Sequence, residues 1–189
     1  MLIEVAALLE RLGIPYLVGG SMASSILGEP RATVDVDLAI HIRSEQVDPL
    51  VAALEPDFYV DAFAAREAVR RHASFNAIHQ RTVLKVDFFV LGAGDFDAEQ
   101  LERRRPAALS DQPEPRVWVS SPEDLILRKL AWYREGGGVS DRQWRDVLGV
   151  IKVQSERLDR AYLRRWAERL GLSDLLGRAI GEAGVDRAR

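Results

Sequence analysis

Three aspartates lie inside apolar stretches of the sequence that otherwise have the character of β-strands. Asp35 and Asp37 are one residue apart in TVDVDLAIHI, and Asp87 lies in KVDFF. Because strand side chains alternate between two faces, Asp35 and Asp37 should project from one side, about 6.6 Å apart along the chain. Carboxylates beside a core are costly unless a cation lies between them. The pattern therefore predicts a site for a hard divalent ion, Mg²⁺ or Mn²⁺, held by Asp35, Asp37 and Asp87.

The alternative for the first two acids is an ordinary strand with one solvent-exposed face. In that case Asp35 and Asp37 would alternate with Val34, Val36 and Leu38, which face the core, and would need no ligand. One such pair alone would favour this simpler interpretation. A third acid in a second apolar strand favours the metal site instead.

A pair of glycines precedes the acids. Gly19 and Gly20 follow the apolar run YLV, and Ser21 stands at the start of a predicted helix. Glycines let the backbone approach a ligand closely, and a helix N-terminus offers N–H groups to a phosphate. A glycine pair by itself is usually only a turn, and Ser21 could simply cap the helix. The order of strand, glycine pair, helix and acidic strand nevertheless indicates a phosphate-binding turn.

Hydrophobic periodicity divides the chain into two regions. Short strands and helices alternate up to about residue 120, and Ser121 and Pro122 then begin a run of four amphipathic helices. The longest strand candidates are TVDVDLAIHI, SFNAIHQ and TVLKVDFFVL, the last two joined by a tight turn at Gln80 and Arg81. We expect an α+β fold, with a mixed-sheet core over residues 1–120 and a C-terminal helical region over residues 121–189 packed on it.

Composition limits the function classes. The chain of 189 residues contains no cysteine, which excludes disulfides, thiolate metal sites and a cysteine nucleophile. Its net charge of -3 gives no global attraction to nucleic acid or to an anionic membrane. The first residues read as an amphipathic helix and not as a signal peptide, and no apolar run approaches the roughly 20 residues of a membrane span. We therefore expect a cytoplasmic protein without a membrane partner.

Lys129 is predicted to be a buried cation. On a helical wheel its neighbours three and four residues away are Leu125, Ile126, Trp132 and Tyr133, so it lies within an apolar stripe. A buried ammonium needs an anion close to it. The alternative is a lysine whose head reaches solvent along its own stem.

The glycine turn and the acidic strands together resemble a known family. LVGGS, RATVDVDLAI and LKVDFF resemble the three elements of the nucleotidyltransferase superfamily, namely a GG or GS turn, a D-x-D strand and a third acid on a later strand. The layout is most similar to the AbiE toxin group of abortive-infection and toxin–antitoxin nucleotidyltransferases. The motifs GGSMA, RATVDVD, KVD, SSPEDLILRKL and WRDVLGV occur in that group's order, over roughly residues 15 to 150.

The resemblance implies a nucleotidyltransferase-type sheet with flanking helices and an enzyme that transfers a nucleoside monophosphate from an NTP to an acceptor hydroxyl. It also implies two bound Mg²⁺ or Mn²⁺ ions and release of pyrophosphate. The implied catalytic residues are Asp35, Asp37, Asp87, Lys129 and Asp146, and the implied nucleotide contacts are Gly19, Gly20, Ser21, Arg31 and Lys129. Without the resemblance, Asp146 could equally form a surface ion pair with an arginine, and Arg31 could be a solvated loop residue.

The acceptor is the least determined part of this hypothesis. The resemblance implies the 3′ end of a tRNA, the activity of a toxin, and a cognate antitoxin protein as partner. Basic residues of the C-terminal helices, such as Arg157, Arg160, Arg164 and Arg165, could contact such an RNA, although the pattern alone favours a solvated face of an amphipathic helix. The alternatives are a small-molecule acceptor, as in aminoglycoside nucleotidyltransferases, and an inactive module that binds a nucleotide or partner. Retention of all three acids and Lys129 argues against the inactive module.

Overall fold

A computed structural model describes residues 1–109 and 116–184, and the chain divides into two compact units. The first unit comprises Met1–Met22 and Thr33–Ser120, and the second comprises Ala23–Ala32 and Ser121–Arg189. The sequence predicted a division after residue 120. The structure also assigns the short segment 23–32 to the second unit, because that segment makes its contacts with the helical region.

The described part of the first unit forms a mixed sheet of seven strands. The strands are β1 (Tyr16–Val18), β2 (Val36–Ile40), β3 (Phe58–Val60), β4 (Ser74–His79), β5 (Lys85–Val90), β6 (Arg105–Ala108) and β7 (Arg116–Val119). Their order across the sheet is β3-β4-β5-β2-β1-β7-β6. The pairs β2–β5 and β1–β7 are parallel, and the other neighbours are antiparallel. This agrees with the predicted α+β fold, which has a mixed sheet and flanking helices.

The helices of the described ranges follow the predicted periodicity closely. They are α1 (Leu2–Arg11), α2 (Gly20–Leu27), α3 (Val47–Leu54), α4 (Ala62–Arg71), α5 (Asp95–Arg103), α6 (Pro122–Glu135), α7 (Asp141–Gln154), α8 (Arg160–Arg169) and α9 (Ser173–Ala183). Short 3₁₀ helices occupy Ser44–Gln46 and Ser155–Arg157. None of these helices combines the length and the apolar character that crossing a membrane requires.

The central strand β2 shows the predicted alternation, but it is shorter than expected. Val36, Leu38 and Ile40 are buried, whereas Asp37 is only partly covered. The expectation that Val34 joins the core is wrong, since 67% of its surface is exposed. The strand begins only at Val36, so the alternation of faces does not extend to the residues before it.

Two further local expectations are corrected. The connection between β4 and β5 is longer than a turn at Gln80 and Arg81, because the His79 N–H donates to Leu84 O at 2.8 Å and encloses the residues between them. Strand β6 was not predicted at all, since its sequence RPAA contains a proline and lacks apolar alternation. Such a segment is tolerated at the edge of a sheet, where β6 lies.

In the second unit, the segment SSPED fixes the start of α6 and connects it to α8. Ser121 caps α6 by accepting a hydrogen bond from the Asp124 N–H at 3.1 Å. The Asp124 carboxylate is fully buried and accepts hydrogen bonds from the hydroxyls of Ser121 and Tyr162, both at 2.5 Å. Glu123 accepts a hydrogen bond from the N–H of Asp159, which caps α8. These acids therefore hold helices together.

Candidate active site

The glycine turn lies directly against Asp37. Gly20 begins α2 with φ +53°, and a Cβ at this position would lie 1.9 Å from Asp37 Oδ2 and 2.6 Å from Asp37 Cβ. The Gly19 N–H donates to the backbone oxygen of Asp37 at 2.9 Å, and the Ser21 N–H donates to its Oδ2 at 3.3 Å. The chain therefore needs glycine here so that the first turn of α2 can approach the acidic strand. This contact fixes the position of the Asp37 carboxylate.

The sheet brings the predicted acids together on neighbouring strands. Asp37 on β2 and Asp87 on β5 are direct partners in the parallel register, and neighbouring strands lie only about 4.8 Å apart. Asp35 precedes Asp37 by two residues, just before the strand begins. All three side chains are partly exposed; Asp37 and Asp87 lie between buried apolar residues, whereas Asp35 has a buried neighbour only at Val36. The predicted clustering of acids beside apolar strands is therefore present in the first unit.

Lys85 is the cation that this acidic group contacts in the structure. Its Nζ lies 2.7 Å from Asp87 Oδ2, and this hydrogen bond is the main cause of a raised Lys85 pKa. Desolvation is the next largest effect and lowers the Lys85 pKa, while the negative charges of Asp87, Asp35 and Asp37 each raise it further. Lys85 and Asp87 are two residues apart on β5 and therefore share one face of the strand. One ammonium responds to all three carboxylates, so they form one electrostatic group.

The fit of this group to a divalent ion is partial. Its donors are carboxylate oxygens, which are the ligands that Mg²⁺ and Mn²⁺ prefer. Within residues 1–109 and 116–184, however, no three His, Cys, Asp or Glu side chains converge closely enough to hold a metal ion. The physical reason is that the carboxylates repel each other and that Lys85 binds one Asp87 oxygen. Coordination by all three acids requires their side chains to rearrange from this conformation.

A second group of predicted residues meets in the second unit. Lys129 is only 1% exposed, and its Nζ donates to Asp146 Oδ2 at 2.8 Å and to Gln143 Oε1 at 2.9 Å. Arg31 binds the same carboxylate through Nε and Nη2, both at 2.9 Å. The predicted burial of Lys129 is confirmed, and its ammonium does not reach solvent. The structure supplies Asp146 as the anion that this buried cation requires.

Two sequence interpretations change at this cluster. Asp146 does pair with an arginine, but it is 7% exposed, so the pair is not a surface ion pair. Arg31 is not a solvated loop residue, because it is held by Asp146 in a two-pronged arrangement. Gln143 was missed by the sequence analysis. Its position one helical turn before Asp146 on α7 was the only available signal.

The Asp146 cluster predicts a specific acid dependence of stability. Burial has the largest effect and raises the Asp146 pKa, but the hydrogen bonds and charges of Arg31 and Lys129 together hold it below its ordinary value of 3.8. A carboxylate with a lowered pKa stabilises the fold above about pH 4, and this contribution is lost as the pH falls through the lowered pKa. We expect the free energy of unfolding of the wild-type chain to fall more steeply below about pH 4 than that of Asp146→Asn. Urea unfolding between pH 3 and pH 7 measures this, and parallel curves would contradict it.

Comparison with known proteins identifies the fold. No model of a known protein family matches the sequence, and no curated protein matches it significantly. Solved structures do match. The lincosamide antibiotic adenylyltransferase LnuA has a TM-score of 0.52 and 12% identity, and the match covers 80% of this chain and 95% of LnuA. The antibiotic-resistance factor ANT(2'')-Ia has a TM-score of 0.56 and 16% identity, with 96% and 91% covered.

A third similar structure comes from the fungus Paracoccidioides brasiliensis. It is an antigenic nucleotidyltransferase-like protein with a TM-score of 0.55 and 20% identity, and the match covers 95% of this chain and 90% of the fungal one. The chain thus has the nucleotidyltransferase fold that the sequence resemblance implied. Identities at this level establish the fold and leave the reaction to be argued from the residues.

Proposed function

We propose that this protein is a metal-dependent nucleotidyltransferase that transfers a nucleoside monophosphate from an NTP to an acceptor hydroxyl. One observation carries the proposal: Asp37 and Asp87 are paired on parallel strands, and the glycine turn at the start of α2 holds the Asp37 carboxylate. The nucleotidyltransferase fold supports it. Acids of this kind, placed at a helix N-terminus, suit a substrate that consists of phosphate groups and their counter-ions.

Asp35, Asp37 and Asp87 are the residues that would hold Mg²⁺ or Mn²⁺. When bound, such ions neutralise charge on the phosphates and lower the pKa of an attacking hydroxyl. The residues of the chain have separate tasks. In the turn of Gly19, Gly20 and Ser21, the Ser21 N–H contacts the Asp37 carboxylate and the Gly19 N–H holds the Asp37 backbone oxygen. Lys85 neutralises part of the negative charge of the acids, and bound metal ions would replace it in that role.

Lys129, Arg31 and Asp146 keep the roles that the family resemblance implies, as part of this proposal. Lys129 and Arg31 carry the positive charge that suits phosphate, and Asp146 holds both side chains in fixed positions. A catalytic role for Asp146 is therefore best understood as positioning. Its carboxylate is occupied by two cations and contributes geometry through them.

For the acceptor we favour the 3′ end of a tRNA, with the chain acting as an AbiE-like toxin that a cognate antitoxin controls. The order of the five sequence motifs supports this branch of the superfamily. The exposed arginines of α8, namely Arg160, Arg164 and Arg165, offer positive charge for RNA phosphates. A small-molecule acceptor is the second candidate. It is favoured by the structural similarity to a lincosamide adenylyltransferase and to ANT(2'')-Ia in complex with adenylyl-2''-tobramycin.

A transfer assay tests the proposed function directly. The purified protein is incubated with Mg²⁺, each of the four α-labelled NTPs in turn, and either total RNA or a panel of lincosamides and aminoglycosides. We expect labelled RNA from the wild type and none from Asp37→Asn, which keeps the side-chain volume but removes the charge. Label on an antibiotic instead would select the second candidate. Nucleotide binding without any labelled product, for all NTPs and acceptors, would contradict the enzyme and favour a binding module.

Growth of the host cell provides a separate test of the toxin role. Expression of the wild-type chain should arrest growth, and Asp37→Asn should remove the arrest while the protein accumulates to the same level. Normal growth of cells that contain active wild-type protein would show that the transfer reaction is not toxic.

A further inference from the structure

The second unit contains a cavity of about 310 Å³, and most of its lining residues have no role in the proposed reaction so far. Its size is at the lower end of the range for small-molecule sites, which is roughly 300 to 1,000 Å³. The cavity lies beside the ion pair of Arg31 and Asp146. Its charged lining is supplemented by one hydroxyl, and the polar residues around it are Ser24, Glu29, Arg31, Arg142, Arg145 and Asp146.

The lining carries an excess of positive charge. Three arginines face two carboxylates, and one of these, Asp146, already accepts two hydrogen bonds from Arg31 and one from Lys129. Lys129 therefore adds a further positive charge directly behind the wall. Glu29 is the remaining acid, and it is exposed. A cavity of this composition attracts anions.

Two of the arginines stand three residues apart on the exposed side of α7. Arg142 and Arg145 are neighbours on the helix surface, and both line the cavity, so one ligand could contact both guanidinium groups. Arg145 Nε donates to the Asp141 backbone oxygen at a long 3.4 Å. Guanidinium groups bind phosphate oxygens in pairs, which makes phosphate the best-matched anion.

We propose that this cavity binds a phosphate group, with Arg142 and Arg145 as its direct ligands and Arg31 behind them. The source of the phosphate rests on the proposed function: it belongs either to the triphosphate of the nucleotide or to the backbone of an RNA acceptor. Asp146 keeps Arg31 oriented toward the cavity wall. The site thus extends substrate recognition to Arg142 and Arg145 on α7, to which the sequence analysis assigned no role.

Binding measurements without divalent ions test this proposal independently of turnover. The probes are inorganic tripolyphosphate, followed by calorimetry, and a fluorescein-labelled single-stranded RNA without a 5′ phosphate, followed by anisotropy. The test variant is Arg142→Gln with Arg145→Gln. The control is Arg70→Gln with Arg71→Gln on α4, which removes the same charge from two exposed arginines near Glu67. We expect the test variant to bind at least one probe at least about tenfold more weakly, and the control to match the wild type.

The probe that binds more weakly to the test variant identifies the source of the phosphate group. Weaker tripolyphosphate binding with unchanged RNA binding assigns the cavity to the nucleotide, and the reverse assigns it to the acceptor. The variant Arg142→Lys with Arg145→Lys keeps the charge but loses the paired hydrogen bonds. Its affinity for the probes should fall between those of the wild type and the test variant. It also tests the site if the glutamine variant does not fold. Wild-type affinity of both variants for both probes would overturn the proposal. Loss of binding in a chain that shows no transfer activity would contradict the proposed function but leave the cavity assignment intact.

Discussion

Replacing Gly20 with alanine is expected to reduce nucleotidyl transfer at least about a hundredfold, because displacement of a reacting group by about 1 Å already has an effect of that size. The added methyl group would lie 1.9 Å from Asp37 Oδ2 and 2.4 Å from its Cγ. Rotation of the Asp37 side chain cannot remove the clash, since Asp37 Cβ itself would be 2.6 Å away. The acidic strand must therefore move or the turn must open.

Gly13→Ala is the matched control for this experiment. Gly13 has φ +62°, close to the value at Gly20, but a Cβ there would meet no atom within 4 Å. The Gly13→Ala variant should lose about 1 kcal/mol of stability from backbone strain and keep the transfer rate of the wild type. Initial rates with the best NTP and acceptor measure the difference. Equal losses of rate in both variants would show that strain, and not contact with Asp37, is responsible.

The same contact can be measured without any enzymatic assay. Gly20→Ala should destabilise the wild-type fold by more than about 2 kcal/mol, since overpacking adds to the strain. In an Asp37→Gly background the methyl group meets none of these side-chain atoms, so the substitution should cost only about 1 kcal/mol of strain. Urea unfolding of the wild type, the two single variants and the double variant gives the coupling free energy between Gly20 and Asp37. No coupling between the two positions would contradict the close approach.

Replacing Lys129 with methionine is expected to lower the free energy of unfolding by about 3 kcal/mol. The substitution keeps the volume of the side chain but leaves the buried Asp146 carboxylate with Arg31 as its remaining cation in this cluster, and it leaves Gln143 Oε1 without this donor. Lys152→Met on the exposed side of α7 is the control and should change stability by less than about 0.5 kcal/mol.

A double variant separates the structural role of Lys129 from its proposed contact with phosphate. Asp146→Asn removes the buried charge that Lys129 pairs with, so Lys129→Met with Asp146→Asn should recover part of the lost stability. If Lys129 also binds phosphate, transfer by the recovered protein should stay far below that of Asp146→Asn alone. Equal rates in these two proteins would limit Lys129 to holding the fold together.

The acidic strands could be predicted because their information is local. Alternation of apolar and polar residues placed Asp37 on one face of a strand, and the shared face of Lys85 and Asp87 followed from their spacing of two. The incorrect expectations also concern local structure. Val34 and Asp35 continue the same alternation in the sequence, but they precede the strand, and nothing in the pattern marks where hydrogen bonding to the neighbouring strand begins.

The ion pair of Arg31 and Asp146 could not be predicted from the residues alone, because the partners are 115 positions apart. The helical wheel showed that Lys129 is buried, but a periodicity cannot identify the anion that a buried cation will meet. The arginines of the cavity escaped notice for a related reason. Arg142 and Arg145 are exposed on α7, and no sequence pattern places them beside a cavity, because only the approach of the segment before β2 forms the concave surface.

The interleaved arrangement of the two units has a consequence for how the protein is made. Residues 23–32 leave the ribosome early, between two strands of the sheet, yet their partners belong to the last third of the chain. During synthesis, residues 23–32 therefore have no helices to contact until the last third of the chain has emerged. A gene truncated after the sheet would lose more than an appendage, since the end of α2 and the segment that follows it would lack the helices that they contact.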